Sequence, residues 1–431
     1  MPAVTAAVAR LESWLETMRG PGGYGGPVAH WWQQSLLYTG PGLDWRYEGV
    51  IIGYLHLWAA TGHDQWLKKA ARAGDDLVKG QLEDGHYPAS NFELNPASGG
   101  TPHEAAADVG LLHLALATKT AHPDLDWKRY ASAAKKNLES YYIRLLWDNL
   151  TRSFRDDPDT PSFVPNKAAT ASEAFFLLAE LDENPIWVEE YALPNLDRII
   201  EHQVLDDGEL HGAIAQNSFG ARVVEKYFPK YIARCVPTLM QGYRWTGKER
   251  YADAALDAMA FIARYLRDDG SLPTVVYGNG RMNLWPSWIA PLADVLRAVD
   301  TVRVLGFDDD FSSVHERLVM GQDETGGIRT ATGFAAQSGG TPPSLPDIRD
   351  VLHVVGWCDK AFRYLASHFE GDWPEDQSGE SLEVACTFRG QTMTYRETPE
   401  VIEISRRGEI QYLWRKGDSW PLVATDAFWL R

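Results

Sequence analysis

"GQLEDGHYPAS", residues 80–90, is a polar turn set between two helix-forming stretches, and turns like it return along the chain. They are "LLWDNLTRSFRDD" (145–157), "HQVLDDGELHGAI" (202–214), "YLRDDGSLPTVVY" (265–277) and "MGQDETGGIRTAT" (320–332). Their spacing is about 55 to 65 residues, longer than the common solenoid periods. Asp-Gly and Gly-Gly pairs mark tight turns among them.

A second repeated mark lies between these loops. "WAATGHDQWLKKAA" (58–71), "KTAHPDLDWKRYASAA" (119–134), "LDENPIWVEEYA" (181–192) and "WTGKERYADAA" (245–255) each close one helical stretch and open another. A polar turn, an aromatic and then helix formers describe a short helical hairpin. The unit is therefore inner helix, short turn, outer helix, Asp-Gly loop. Inner helices are expected near 44–60, 102–118, 166–181, 227–245, 286–302 and 347–367, apolar nearly all round as buried helices are. One-sided outer helices are expected near 3–18, 65–81, 126–146, 186–202, 249–266 and 310–320. The first outer helix lacks a preceding inner partner and the last inner helix lacks a following outer one. Pairing those two closes a ring, an all-α (α/α)6 toroid over residues 1–371, with no need for polar capping repeats. From 372 to 431 the texture changes. "LEVACTFRGQTMTYRETPEVIEISRRGEIQYLWRKG" (382–417) is β-branched and alternating, a small antiparallel β appendage packed on the toroid.

The chain has 431 residues, 45% hydrophobic, ample for one large core, and a formal net charge of −18. That charge argues against nucleic acid or an anionic membrane as a general partner. No run approaches the roughly 20 apolar residues of a membrane span, and the first residues do not read as a signal peptide. A cytoplasmic protein is the simplest expectation. Cys235, Cys358 and Cys386 show no pairing pattern and are read as reduced and buried. No metal motif stands out, so neither metal nor cofactor is expected. The sequence leaves the oligomeric state open. Aromatic residues are abundant, 17 Trp, 18 Tyr and 15 Phe, which suits a large core and a sugar pocket equally.

The long loops all lead into inner helices, so they gather at one end of the ring, around helix amino ends that favour anions. The pocket is expected there. Its candidates are His30, Trp31, Asp44, Trp45, Arg46, Tyr47 and Glu48; Asn95, His103 and Glu104; Asn166 and Lys167; His211, Lys226, Tyr227, Lys230, Tyr231 and Arg234; Tyr277, Asn279, Arg281, Trp285 and Trp288; Asp347 and Arg349. Aromatic faces stack on pyranose rings and Arg pairs with carboxylates, so an anionic sugar or oligosaccharide is the expected ligand. In "VVEKYFPKYIARCVP" (223–237), Tyr227, Lys230, Tyr231 and Arg234 have the spacing of one helix face. Nearby cations favour phenolate and hold a carboxylate, which suits proton abstraction.

Structural readings stand beside these. Thr101-Pro102-His103-Glu104 also reads as a capping box with Pro at the first helical position, and Asn166 as an N-cap. Lys and Arg of the 223–237 stretch serve equally as partners of Glu225 and the acidic rim. His56, His113 and His353 read as core, and Asp84, Asp207 and Asp269 as turn residues. Glu48 and Glu173 read as a hydrolytic acid pair or as salt-bridge partners.

The repeated loops between paired helices resemble those of (α/α) toroid proteins. "QLEDGHYP" looks like the Gln-x-x-x-Gly-x-Trp/Tyr repeat of squalene and terpene cyclases. The toroid with Asn, His, Tyr and Arg at its mouth resembles the uronate-specific polysaccharide lyases, over most of the chain to about Ser367. That second resemblance implies β-elimination: Asn166 and Arg234 neutralise a uronate carboxylate, His103 is the base, and Tyr231 is acid or base. The substrate would be bound by Tyr227, Lys230, His211, Arg281, Trp285, Trp45, Arg46 and Lys167. The compact Asn-His pair of some such lyases is absent here. A glycoside hydrolase or sugar epimerase would use Glu48, Glu104, Asp347 or His103 instead. A terpene cyclase would need an acidic motif, to which "RDDPDTPSF" (155–163) and "GFDDDFSSV" (306–314) are near misses. A lanthionine cyclase needs a Cys-Cys-His zinc set, which Cys358 in "VVGWCDKAF" does not supply. A non-catalytic glycan-binding toroid is the remaining reading. The expectation is a polysaccharide or oligosaccharide lyase acting on uronate-containing glycans.

Overall fold

The computed structural model describes residues 2–30, 35–38, 42–87, 101–122, 126–336, 340–375 and 377–425, with the side chains of 2–3, 29–30, 35–38 and 101–103 outside that description. Among the described residues, the outer helices are α1 (Pro2–Thr17), α3 (Asp64–Gly80), α5 (Trp127–Asn137), α7 (Leu193–Ile200), α9 (Glu249–Arg264) and α11 (Ser312–Met320). The inner helices are α2 (Arg46–Thr61), α4 (Thr101–Ala121), α6 (Pro165–Asp182), α8 (Pro229–Thr246), α10 (Leu292–Val302) and α13 (Val355–Ser367), with a short α12 (Ile348–Val351) before the last. Each inner helix packs on the next, and α13 returns to pack on α2 and on α1. This is the closed (α/α)6 toroid that the repeat predicts.

Burial follows the sequence pattern. On α3, Trp66, Leu67, Ala70, Ala73 and Leu77 are buried at three- and four-residue spacing. On α6, burial runs unbroken from Ala168 to Ala179. The repeated loops have a physical reason too. The amide of Gln81 donates to the carbonyls of Gly85 (3.0 Å) and Ala133 on α5 (2.7 Å). Gln203 does the same to Gly212 (3.1 Å) and Ala254 on α9 (2.9 Å). Gln322 does so to Gly326 (2.8 Å) and Ala7 on α1 (2.9 Å). The loop glycines Gly212, Gly270 and Gly326 have positive φ. A Cβ on each would lie 2.0, 2.1 and 2.5 Å from a backbone oxygen of Asp257, Ser313 and Arg10. Each loop thus fastens one outer helix to the next, and the last fastens α11 to α1 and shuts the ring. The seam between α2 and α13 is equally close: a Cβ on Gly49 would lie 2.2 Å from the Asp359 carbonyl oxygen.

Four inner helices start later than expected, the first by two residues, at Arg46. Lys226–Tyr227 pairs as strand with Val276–Tyr277, so the fourth begins at Pro229 rather than Tyr227. Ser287–Trp288 pairs with Ala331–Thr332, so the fifth begins at Leu292 rather than Pro286. The sixth is interrupted: a capping box between Asp347 and Asp350 starts α12, and the chain is extended again at Leu352 and Val354. The third and fourth outer helices include π-helical segments, Leu138–Leu146 and Trp187–Ala192. The long loops are also tied to one another. Ser162–Phe163 pairs with Asn217–Phe219, and Asp347 bridges to Thr387 of the C-terminal sheet.

That sheet has five antiparallel strands in sequential order: Leu382–Phe388, Gln391–Glu397, Val401–Arg406, Glu409–Arg415 and Val423–Ala424. It is joined to the toroid through buried charge. The Glu397 carboxylate accepts hydrogen bonds from Trp14 Nε1 (2.8 Å), Tyr395 Oη (2.6 Å) and Lys416 Nζ (2.6 Å). His353 lies between Glu397 (3.1 Å from Nδ1) and Asp323 (2.6 Å from Nε2). Burial alone would lower the imidazole's pKa, but Asp323 and Glu397 raise it to about 9. His353 is a core residue, as expected, and a charged one. Cys235, Cys358 and Cys386 are buried free thiols. No helix among the described residues is long and apolar enough to cross a membrane.

Candidate active site

The inner helices bring their amino ends to the loop-covered face, and their first turns carry Arg46 (α2), His103 (α4), Asn166 (α6), Lys230 and Tyr231 (α8), Asp294 (α10) and Trp357 (α13). Asn166 and Tyr231 line one small cleft, with Gln216 and Phe228 beside them. Next to it the Lys230 amine lies 2.9 Å from the centre of a Trp288 ring, 4.7 Å from Trp357 and 4.8 Å from Tyr231. Trp357 meets Trp45 edge-on at 4.8 Å and Trp288 at 5.8 Å. Burial outweighs the support of Asp294 and holds the Lys230 amine well below the ordinary lysine range.

One turn deeper, the axis of the toroid is filled by ion pairs. Glu48 Oε1 accepts from Arg234 (2.6 Å) and Arg363 (2.5 Å), and Glu48 Oε2 from Lys360 (2.8 Å). Glu173 accepts from Arg297 (2.6 Å) and Arg363 (3.4 Å), with Arg234 3.7 Å away. Burial opposes ionisation of both acids, yet the surrounding cations win: Glu48 is held well below the usual carboxylate range and Glu173 falls to about 2. Asp359 is pushed by burial, against Lys360, up to about 8. Burial, assisted by Arg363, lowers His113 to about 4 and His56 to about 3, so both are neutral at pH 7.

The predicted residues separate into groups. Tyr231 and Asn166 share one cleft, and Tyr231, Lys230, Trp288 and Trp45 are linked, through Trp357, in a buried aromatic cluster beside it. Arg234, expected to neutralise a substrate carboxylate, has its guanidinium engaged by Glu48, Glu173 and Thr170 Oγ1 (3.2 Å). Arg46 is held by Asp44 (2.8 and 3.0 Å) and Arg349 by Asp347 (2.7 and 3.1 Å), the same Asp-x-Arg arrangement at two helix starts. Lys167 pairs with Asp156 (2.6 Å) and faces a different cleft from Asn166. Tyr227 does not share the face of Tyr231: it precedes the helix and packs on Phe261 of α9. His211 is 3.4 Å from Asp257 on α9, at the outer wall. Arg281 is exposed in the turn after Val275–Tyr277, and Trp285 is half-buried beside Gly333. Glu104 engages His86 and Asn137. Trp31 and Asn95 lie outside the described residues, as do the side chains of His30 and His103.

Sequence reading missed Asp294, Arg297, Trp357, Asp359, Lys360 and Arg363. The available signal was charge inside a buried helix: Asp294/Arg297 and Lys360/Arg363 are each three residues apart, on one face. The acidic runs of the terpene-cyclase comparison have structural uses. Asp156 pairs with Lys167, and Asp310 accepts from the Ser312 N–H (2.8 Å) at the start of α11. Among the described residues, no group of three or more His, Cys, Asp or Glu could hold a metal ion.

No protein-family model matches the chain, and no curated protein matches it in sequence. Solved structures match its fold. The cellobiose 2-epimerase of Bacillus thermoamylovorans B4167 superposes with a TM-score of 0.61 at 12% identity, over 83% of this chain and 98% of the other. The unsaturated glucuronyl hydrolase of Bacillus sp. GL1, responsible for degradation of glycosaminoglycan, gives 0.61 at 13%, over 84% and 95%. The α-1,6-mannanase of Salegentibacter sp. HEL1_6 gives 0.55 at 12%, over 85% and 99%.

Proposed function

We propose that this chain is a carbohydrate-active enzyme that takes an acidic sugar and moves a proton on the carbon next to its carboxylate or carbonyl. β-Elimination of a uronate-containing glycan is the form we favour. The observation that carries the reading is the contrast between mouth and axis. Tyr231, the proton-transfer group of this reading, lines a cleft with Asn166, with the Lys230 amine 4.8 Å from its ring, while Glu48 and Glu173 are paired with cations below. Hydrolysis by Glu48 and Glu173 as a pair needs one of them protonated, and both are held ionised; Asp359, raised to about 8, is fully buried beside Lys360. A carbon acid next to a carboxylate needs its developing charge stabilised. In this reading Asn166 and the helix amino ends supply that stabilisation. The glucuronyl hydrolase among the similar folds supports an acidic sugar. The epimerases support a second form of the same first step, in which the proton returns to the other face of the carbon.

The test is incubation of the purified protein in deuterated water with a panel of uronate polymers, uronate oligosaccharides and neutral disaccharides. Rising near-ultraviolet absorbance, from a conjugated C4–C5 double bond, establishes elimination and identifies the sugar. Deuterium entering the sugar carbon without that absorbance establishes epimerisation. New reducing ends with neither signal would overturn the proton-transfer reading in favour of a hydrolase. Binding without any turnover would make the toroid a glycan-binding protein.

A further inference from the structure

The guanidinium of Arg234 is anchored at Nε and Nη2, which donate to Thr170 Oγ1 (3.2 Å) and Glu48 Oε1 (2.6 Å). Nη1 has no hydrogen-bond partner, although the side chain is only 7% exposed. What faces Nη1 is Asp294, in the first turn of α10, with Oδ1 3.9 Å away. That is too long for a hydrogen bond. Among the described residues nothing donates to the Asp294 carboxylate, and 13% of its side chain stays exposed. Elsewhere on the axis the same kinds of group close on each other. Arg297 reaches Glu173 at 2.6 Å, and Lys360 reaches Glu48 at 2.8 Å. At Arg234 and Asp294 a fixed donor and an acceptor instead stand apart, across a gap that is open to solvent on the acid's side.

A buried donor left unpaired is costly, so the gap calls for an occupant. An oxygen at hydrogen-bond distance from both atoms fits a separation of 3.9 Å. The occupant must accept from a guanidinium and donate to a carboxylate. A hydroxyl does both; a carboxylate or carbonyl cannot donate, and an ammonium cannot accept. We propose that Asp294 and Nη1 of Arg234 form a hydroxyl-binding subsite that takes one ring hydroxyl of the sugar, with Asp294 as a specificity-determining residue. The inference rests on the acidic-sugar reading above and adds an orientation to it. Asp294 repels a second carboxylate, so the acidic group of the sugar points away from this subsite. Both hydrogen bonds are charge-assisted, one through the donor and one through the acceptor.

The test is binding of the methyl glycosides of glucuronic, galacturonic and mannuronic acid, titrated by ligand-observed NMR against wild type, Asp294→Asn and Asp294→Ala. Asp294→Ala is expected to bind the preferred sugar roughly 10–100-fold more weakly, and Asp294→Asn to fall between. Neither should move the urea midpoint much, because the carboxylate holds no hydrogen bond within the fold. An acid in a first turn also complements the helix dipole; that role alone would lower the midpoint and spare the affinity. Variants that bind as wild type does would overturn the proposal and leave the gap to a bridging water only. The 2-, 3- and 4-deoxy forms of the preferred sugar then identify the hydroxyl. One of them should bind wild type more weakly yet bind Asp294→Ala as well as the parent sugar does. Equal losses on both proteins for every deoxy sugar would overturn the proposal. Should Asp294→Ala fail to fold, Asp294→Asn carries the same comparison. Wild type that binds none of the three glycosides defeats the acidic-sugar reading itself. Wild type that binds, with its Asp294 variants unaffected, defeats only this proposal.

Discussion

At the axis of the toroid, Glu48 and Glu173 meet Arg234, Arg297, Lys360 and Arg363. At the joint with the C-terminal sheet, Glu397 and Asp323 meet His353 and Lys416. Both clusters are buried, and both tie together elements distant in sequence. They differ in their cations. Guanidinium groups keep their charge across the working range of pH, so the axial cluster holds the ring with a constant lock. The joint depends on an imidazole that is charged near neutrality only because two carboxylates face it. Constant charge secures the ring; conditional charge secures the appended sheet.

The largest effect is expected from Glu48→Gln, which leaves Arg234, Lys360 and Arg363 facing a neutral amide. Removing one partner of a buried ion cluster costs about 3–5 kcal/mol, read from urea unfolding at pH 7. A loss below about 1 kcal/mol would show that the axial cluster is not the lock of the ring. His353→Gln is expected to cost about 3 kcal/mol at pH 6, taking about 1.4 kcal/mol per unit of pKa shift. The folded pKa, about 9, lies above the ordinary imidazole value of 6.5. The stabilisation is therefore complete below about 6.5 and fades as pH rises through about 9. The gap between wild type and variant should close by roughly pH 10; a gap independent of pH would remove the distinction between the two clusters. Gln322→Ala removes the fastening of α11 to α1 and should cost about 1–2 kcal/mol, with hydrogen exchange accelerated in α1 first. Unchanged exchange there would show that the ring does not close through this loop. The smallest effect on stability belongs to Tyr231→Phe, within about 0.5 kcal/mol, although turnover should fall roughly 10²–10⁴-fold. Retained turnover would remove Tyr231 as a proton-transfer group.

The ring itself was legible because its determinants are local. Helix periodicity, short hairpin turns and the Gln…Gly loops all lie within one repeat, and the inner helix from Pro165 to Asp182 fell within a residue of its expected ends. The mouth was half legible. Amino ends and loops locate Tyr231, Asn166 and Lys230, but nothing local says that Arg234 belongs to Glu48, 186 positions away. Tyr227 was misplaced because strand pairing with Val276 overrode the helical spacing of the stretch that follows it. His353 could be read as buried; its partners Asp323 and Glu397 lie on separate segments, so its charge could not.

Closure of the ring also has a temporal side. Trp14 reaches Glu397 across 383 positions and Gln322 reaches back to α1 across 315. During synthesis, α1 is made long before the loop, the inner helix and the sheet that cover it. Until then its apolar face, with Val8, Leu11, Trp14 and Leu15, has no permanent shelter. Consecutive hairpins can fold as they emerge, but the last step must recover a segment made first. A nascent chain stalled before Gly321 would carry an open ring and an exposed helix, the species that chaperones bind and from which aggregation begins.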